Sequence, residues 1–185
     1  MKTLPLLLVI GFVALTWAAP AQDTNALKTV LGTFETQTDI VLIKAVGPVG
    51  EMTIGDEVIS VRCKETTDAS SGHKIYGLAL EIAESPQARE RLLLDADELD
   101  ALLNGISYLS KVNNSVTALP GFEATFTSKA GLRLIAESIR REGTVLTFLK
   151  YGDHPRIPLG SLQLSQFYNL IDQGQKIIIS LQTGK

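Results

Sequence analysis

The sequence has few of the residues that carry most enzyme chemistry. Among 185 residues there are one cysteine, Cys63, and two histidines. A lone cysteine cannot form an internal disulfide, and this set does not make a zinc-binding pattern. No glycine-rich phosphate loop is present, and no serine is framed as a nucleophile elbow. These absences favour a binding domain over an enzyme, and no cofactor is predicted.

Long apolar runs are also scarce, and the longest lies at the N-terminus. It extends from Leu4 to Leu15, follows Met1-Lys2 and leads into small residues up to Ala21. The run is too short to span a bilayer comfortably, which takes about 20 apolar residues. The pattern predicts a signal peptide over residues 1–21, cleaved before Gln22, with an uncleaved anchor as the alternative. The mature protein is therefore expected to be soluble and either secreted or periplasmic.

Positive charge is scarce in the first half of the predicted mature chain. Residues 22–114 carry eight Lys or Arg against 15 Asp or Glu, whereas residues 115–185 carry eight against five. An acidic protein is not the default partner of nucleic acid, because lysine and arginine drive phosphate binding. The basic second half keeps a polyanion as an alternative partner.

Short β-rich runs separated by turn residues begin at residue 38, after a polar stretch over 22–37 that we interpret as a linker or loose arm. The first four runs occupy 40–46, 58–64, 75–82 and 91–94. Apolar residues then recur at helical spacing from Leu99 to Leu109, and Asp95 with Glu98 has capping-box spacing. Residues 38–114 are thus predicted to form a β-β-β-β-α unit.

The second half repeats this order. Four strand-like runs occupy 122–127, 132–139, 145–150 and 156–159. A helix is predicted from Ser161 to a stop at Gly174, and the β-branched stretch from Lys176 to Leu181 predicts a closing strand. Residues 115–185 are therefore expected to form a second β-β-β-β-α unit with a C-terminal strand.

A shift of 65 residues aligns the two halves. It superimposes the pairs Leu94 and Leu159, Leu99 and Leu164, Leu102 and Phe167, Asn104 and Asn169, and Ile106 and Ile171. Neither unit alone can bury both a sheet face and a helix stripe, so we expect one α+β domain built by internal duplication. A single irregular α+β sandwich without duplication is the alternative.

The twofold β-β-β-β-α order over residues 40–175 resembles the layout of the PUR and Whirly single-stranded nucleic-acid-binding proteins. The resemblance is one of topology and brings no signature residues with it. It implies a paired sheet-and-helix fold, and it adds single-stranded nucleic acid to the polyanions considered as partners.

One candidate catalytic site lies in the turn that contains Asp153 and His154. The histidine could act as a general base or bind a metal. Glycine followed by aspartate, with a proline nearby, is however ordinary turn chemistry. A hydrolase-type enzyme using this turn is retained as an alternative function.

Asp95, Asp97 and Asp100 are weak candidates for a metal site. A calcium loop would require a bidentate glutamate where Ile106 stands. Acids also favour the first turn of a helix because they complement its dipole. No metal is predicted, and the acids are interpreted as the start of the helix.

A basic surface in the second half is a candidate polyanion site, with Phe148 and Tyr151 available for stacking. Its cations are Arg133, Arg140, Arg141, Lys150 and Arg156. A solvated sheet face is the alternative interpretation, because strand parity alone does not place all of them on one side.

Two single residues, Cys63 and Asn113, are also candidate functional residues. Cys63 alternates onto the same face as Ile59 and Val61, which predicts a buried structural thiol. Asn113 begins a glycosylation sequon, which matters only in a eukaryotic source.

The leading hypothesis is an exported, non-catalytic domain that binds a protein, a glycan or an envelope component.

Overall fold

The computed structural model describes residues 29–83, 89–139 and 143–184. The predicted signal peptide, Arg140 and Arg141 lie outside these ranges. The described chain is an α+β protein with two four-stranded antiparallel sheets and three α-helices. Both predicted units have the order β-β-β-β-α, which is the order that a duplication would produce.

Within each sheet the strands follow the order of the sequence, and each strand pairs with the next one. A short helix, α1 (Val30–Glu35), precedes the first sheet. The first sheet consists of β1 (Leu42–Ile54), β2 (Glu57–Asp68), β3 (Lys74–Ala83) and β4 (Arg89–Asp95), and α2 (Leu99–Leu109) follows it. The second sheet consists of β5 (Glu123–Thr127), β6 (Arg133–Ile139), β7 (Thr144–Lys150) and β8 (Ile157–Leu159), and α3 (Ser161–Thr183) follows it.

Alternating side chains give each sheet one core face. In β2 the core positions are Ile59, Val61 and Cys63, which are all buried. Their cross-strand partners in β3 are Ile82, Leu80 and Leu78, also buried. Apolar residues on one face of a pleated strand can be buried together because successive side chains point to opposite sides.

Each long helix packs against the sheet of the other unit. Helix α2 contacts β5 and β6, whereas α3 contacts β1, β2 and β3, and the two helices also contact each other. Glycines permit these close approaches: a Cβ at Gly105 would lie 2.7 Å from Phe126 in β5, and one at Gly174 would lie 2.7 Å from Leu78 in β3. The helices therefore link the two units through a common core.

The predicted helix stripes are buried in that common core. Leu99, Leu102, Leu103 and Ile106 from α2 belong to one hydrophobic cluster with Leu164, Phe167 and Ile171 from α3. Tyr168 is only partly buried and packs against the cluster. The expectation of one continuous core is thus confirmed.

The interpretation of residues 22–37 as a linker or loose arm is wrong for the part that the structure describes. Residues Val30–Glu35 form α1, with Leu31 and Phe34 buried. The helix packs on the outer face of the first sheet, against β2, β3 and β4. No described element covers the outer face of the second sheet in the same way.

The predicted closing strand is also wrong. Helix α3 continues through Lys176–Leu181 to Thr183, so Gly174 does not stop it. Ile178 extends the buried stripe one turn beyond Gly174, because residues seven apart lie on one helix face. In the first sheet, β1 is longer than predicted and passes through Pro48 with a shift of register at Pro48 and Gly50.

Among the residues that the structure describes, no helix combines the length and apolar composition needed to cross a membrane.

Candidate functional site

The outer face of the second sheet is built by strand register. Arg133 pairs with Lys150, and Ile135 pairs with Phe148, so these four side chains emerge on one side. Glu137 follows two residues after Ile135 in β6 and joins the same face. Leu134, Ala136 and Leu149 alternate to the opposite side and belong to the core.

A network of ion pairs crosses this outer face. Arg156 Nη1 donates to Glu137 Oε2 over 2.6 Å, and Arg156 Nη2 lies 3.7 Å from Glu123 Oε2. Arg133 Nη2 lies 3.6 Å from the other oxygen of Glu123. The Arg156 guanidinium lies 5.7 Å from the centre of the Phe148 ring, a cation–π distance.

Ile135 is buried although it lies on this outer face, which no described element covers. Its side chain is 0% exposed, although it lies outside the main core cluster. To reach Glu137 in β6 from the start of β8, Arg156 must extend across β7. Ile135 and Phe148, which are cross-strand partners, form a small apolar patch on this face, and the Arg156 guanidinium lies over the Phe148 ring.

The predicted basic surface is therefore only partly present. The structure does place Arg133, Lys150 and Arg156 on one face, which strand parity alone did not establish. Glu123 pairs with both arginines, however, and Glu137 pairs with Arg156. Arg140 and Arg141 lie outside the described residues. Tyr151 is buried and is not available to stack on a ligand, contrary to the sequence-based expectation.

The turn after β7 places His154 against the first sheet. Its Nε2 lies 2.7 Å from Oε2 of Glu90 in β4. Its ring stacks on Tyr151, with centroids 4.6 Å apart and planes 25° apart. The imidazole is paired with Glu90 rather than with its neighbour Asp153, which is exposed. The pair connects the two sheets, and Glu90 was not identified from the sequence.

The acidic cluster at the start of α2 is a structural junction. Both carboxylate oxygens of Asp95 accept backbone hydrogen bonds from the first turn of α1, from Val30 at 2.8 Å and Leu31 at 2.9 Å. The Lys129 ammonium lies 3.3 Å from the same carboxylate. Asp95 thus joins α1, β4 and the β5–β6 connection.

Glu98 extends this junction. It accepts hydrogen bonds from the backbone N–H of Asp95 at 2.9 Å and of Lys129 at 2.8 Å. Burial, together with the nearby Asp95 charge, raises the pKa of Glu98 above its usual value despite these hydrogen bonds. The predicted helix start at Asp95 is confirmed, through a 3-10 turn over Ala96–Glu98.

The remaining acids of the cluster point to different partners. Asp97 pairs with Lys129 at 2.6 Å, and Asp100 accepts a hydrogen bond from Gln175 in α3 at 2.7 Å. Within residues 29–83, 89–139 and 143–184, no three potential metal ligands from His, Cys, Asp or Glu lie together. The three weak metal candidates are therefore not brought into one site.

Cys63 lies at the contact between β2 and α3. It is buried, and its Sγ lies 3.5 Å from the carbonyl oxygen of Gly174. Burial raises the pKa of the thiol to about 11, so the nucleophilic thiolate is disfavoured at neutral pH.

A buried ion pair that the sequence did not indicate holds α1 on the first sheet. Lys64 in β2 pairs with Glu35 in α1, and the Lys64 side chain is only 1% exposed. The Thr66 hydroxyl donates to the same carboxylate at 2.8 Å. Strand alternation predicts that the Lys64 side chain lies on the outer face of the sheet, away from the core. Its burial there is explained by α1, which covers that face.

An open cleft of about 490 Å³ lies between the end of α2 and the 3-10 turn Asn114–Val116. Its lining includes Asn104, Ser107 and Tyr108 from α2, and Lys111 just after the end of the helix. The sequon residue Asn113 also borders it and is exposed. The sequence pattern of α2 shows that the helix has a polar face, but it does not show that the turn Asn114–Val116 forms the opposite wall of a cleft.

Comparison with known proteins gives no identification. No protein-family model, no curated protein and no solved structure matches the chain. The resemblance to PUR and Whirly proteins therefore rests on strand order alone, and fold does not specify function.

Proposed function

We propose that the protein is an exported, non-catalytic binding domain and that the outer face of the second sheet is its interaction surface. The observation that carries the proposal is the absence of any described element over this face, whereas α1 covers its counterpart on the first sheet. Candidate catalytic groups elsewhere are committed to structural contacts: His154 to Glu90, Asp95 to α1, and Cys63 to the core.

The composition of the face favours a protein partner. Leu146 is exposed beside the apolar patch, and arginine and phenylalanine are enriched at protein interfaces. The two arginines are matched by Glu123 and Glu137, so charge on the face is nearly balanced. Such an arrangement supports specific pairing with a complementary surface rather than general attraction to a polyanion.

A photo-crosslinking amino acid at Leu146 tests the proposal in the native compartment. A discrete crosslinked protein is expected from this position but not from Leu162, an exposed control residue in α3. The double change Arg156→Glu and Glu137→Arg preserves the ion pair and net charge while reversing the pattern. It should abolish the crosslink; equal crosslinking from Leu162, or no effect of the reversal, would contradict the proposal.

A polyanion remains the second candidate ligand because Arg133, Lys150 and Arg156 lie together. Binding to heparin or a thymidine oligonucleotide would then weaken steeply with added salt, since counterions are released on phosphate or sulfate binding. The double charge reversal keeps the net charge and should leave non-specific polyanion binding largely unchanged. We expect little or no such binding; strong, salt-sensitive binding would favour the polyanion instead.

Export itself is tested at the N-terminus. The signal pattern predicts that the secreted protein begins at Gln22. Mass spectrometry of the intact protein recovered outside the cytoplasm should give the mass of residues 22–185. A membrane-bound form that retains Met1 would contradict the cleavage.

A further inference from the structure

A solvent-facing stripe of α2 forms one wall of the cleft beside the 3-10 turn Asn114–Val116. Asn104, Ser107 and Tyr108 share one face of the helix, and Lys111 follows just after the helix ends. The core-facing positions Ile106 and Leu109 anchor the same turns of the helix. The cleft volume of about 490 Å³ falls within the usual range for small-molecule sites.

Several polar groups around the cleft are available to a ligand. Neither the Asn104 amide nor the Tyr108 hydroxyl makes a hydrogen bond to any residue that the structure describes. Asn113 Oδ1 is held by the Ser115 backbone N–H at 2.9 Å and by the Ser115 hydroxyl at 2.6 Å. The carbonyl end of this amide is thus fixed, which leaves its NH₂ group to donate.

The Tyr108 ring supplies an apolar surface among these polar groups. The residue is 58% exposed, although large aromatic side chains are usually substantially buried. Val116, also exposed, contributes an apolar side chain to the opposite wall. An aromatic face combined with neutral amide and hydroxyl groups matches a sugar ring, which has an apolar C–H face and a rim of hydroxyls.

From this arrangement we propose that the cleft binds a neutral carbohydrate. The site is separate from the outer face of the second sheet and goes beyond the function proposed above. No carboxylate is among the described residues that line it, which disfavours a cation. Lys111 is the one cation among the described lining residues, and its ammonium lies 3.3 Å from Ser107 Oγ, so a phosphate would meet a single positive charge there.

Titration of the isotopically labelled protein with maltose, cellobiose and N,N′-diacetylchitobiose tests the site. The protein is purified from a bacterial host, so that no glycan attached to Asn113 occupies the cleft. At least one sugar should give saturable amide shifts in nuclear magnetic resonance spectra, confined to residues 104–116. Added salt should not weaken the binding, because no charge pairing is involved.

Variants at Tyr108 separate recognition from general surface effects. Tyr108→Ala should weaken sugar binding by about tenfold or more, whereas Tyr108→Phe, which keeps the ring, should retain most of it. Leu162→Ala removes an exposed apolar side chain elsewhere and should have no effect. The proposal is overturned if none of the three sugars gives saturable shifts, if Tyr108→Ala binds normally, or if inorganic phosphate displaces the sugar.

Discussion

Lys64 occupies a position that is costly for a charged side chain. Removing an ammonium from water is unfavourable by several kcal/mol unless a partner compensates it. Burial accordingly lowers the pKa of Lys64 despite the nearby Glu35 carboxylate. Glu35 is therefore more than a surface contact, because it supplies the opposite charge that makes the docked position of α1 stable.

Replacement of Glu35 by glutamine tests this role through its pH dependence. Burial opposes ionisation of Glu35, but the Lys64 ammonium and the Thr66 hydroxyl hold the pKa of the carboxyl below its usual value. Its stabilisation is complete above the ordinary carboxyl pKa and is lost as the pH falls through the lowered value.

At neutral pH, Glu35→Gln should reduce the free energy of unfolding by up to about 3 kcal/mol, near the lower limit for breaking a buried pair. Urea unfolding of both proteins over a range of pH values measures the difference. The difference should begin to shrink as the pH falls below about 4, the ordinary carboxyl pKa, and should be lost only as the pH passes through the lowered pKa of the folded wild type. A difference that is constant with pH would contradict this account of the pair.

The Cys63 thiol is predicted to be structural and unreactive. Cys63→Ser places a hydroxyl in its apolar site, at a cost of about 1–3 kcal/mol where hydrogen bonding is incomplete. The nearby Gly174 carbonyl should keep the cost near the lower end. Unfolding experiments measure this change, and thiol-labelling kinetics give an independent check. Rapid labelling of the native protein would show that the thiol is accessible.

At the scale of elements, the position of α1 depends on Asp95. A six-residue helix is too short to be stable alone, so contacts from outside must fix it. Asp95→Asn should lower the free energy of unfolding by about 1–2 kcal/mol, since the new amide cannot accept with both of its ends. Faster hydrogen exchange is expected in residues 29–36.

Asp97→Asn is a matched control for the Asp95 change. Asp97 also contacts Lys129, but its side chain is 69% exposed and makes no hydrogen bond to α1. Its replacement should change stability by less than about 0.5 kcal/mol. Equal effects of the two changes would show that Lys129, rather than the capping of α1, dominates.

The strands and α2 could be predicted from periodicity, whereas α1 and the end of α3 could not. Two apolar residues three apart, Leu31 and Phe34, are too few to give α1 a helical signal. In α3 the β-branched run from Ile177 to Ile179 has high strand propensity, but the run is helical and Ile178 is buried in the core. Tertiary contacts of this kind override local preference.

Candidate sites were harder to predict than elements because they depend on strand register. His154 and Glu90 are 64 positions apart, and nothing local in the sequence joins them. The ion pairs of the second sheet likewise require β5, β6 and β8 to be aligned. Periodicity identifies which side chains alternate, but only the register shows that acids accompany the predicted basic residues.

At the scale of the whole molecule, the exchange of helices makes the two units interdependent. The stripe of α2 is buried against the second sheet, although the helix follows the first. The converse holds for α3. Separating the units would therefore expose a sheet face and a helix stripe in each half, so that neither half retains the core that stabilises it.

This arrangement predicts a single cooperative unfolding transition. Phe167→Ala in α3 should lower the free energy of unfolding by about 3–5 kcal/mol, because the residue is fully buried. Amide resonances of Leu80 in the first sheet and Ala136 in the second should disappear at the same denaturant concentration, lower than in the wild type.

Leu162→Ala is the control and should shift neither sheet by more than about 0.5 kcal/mol. If Phe167→Ala released only one sheet, the halves would be separate folding units. Joint loss of both sheets would instead mean that each candidate surface depends on residues from the other unit. The second sheet could not then present its outer face without α2, which belongs to the first unit in sequence and forms one wall of the proposed sugar cleft.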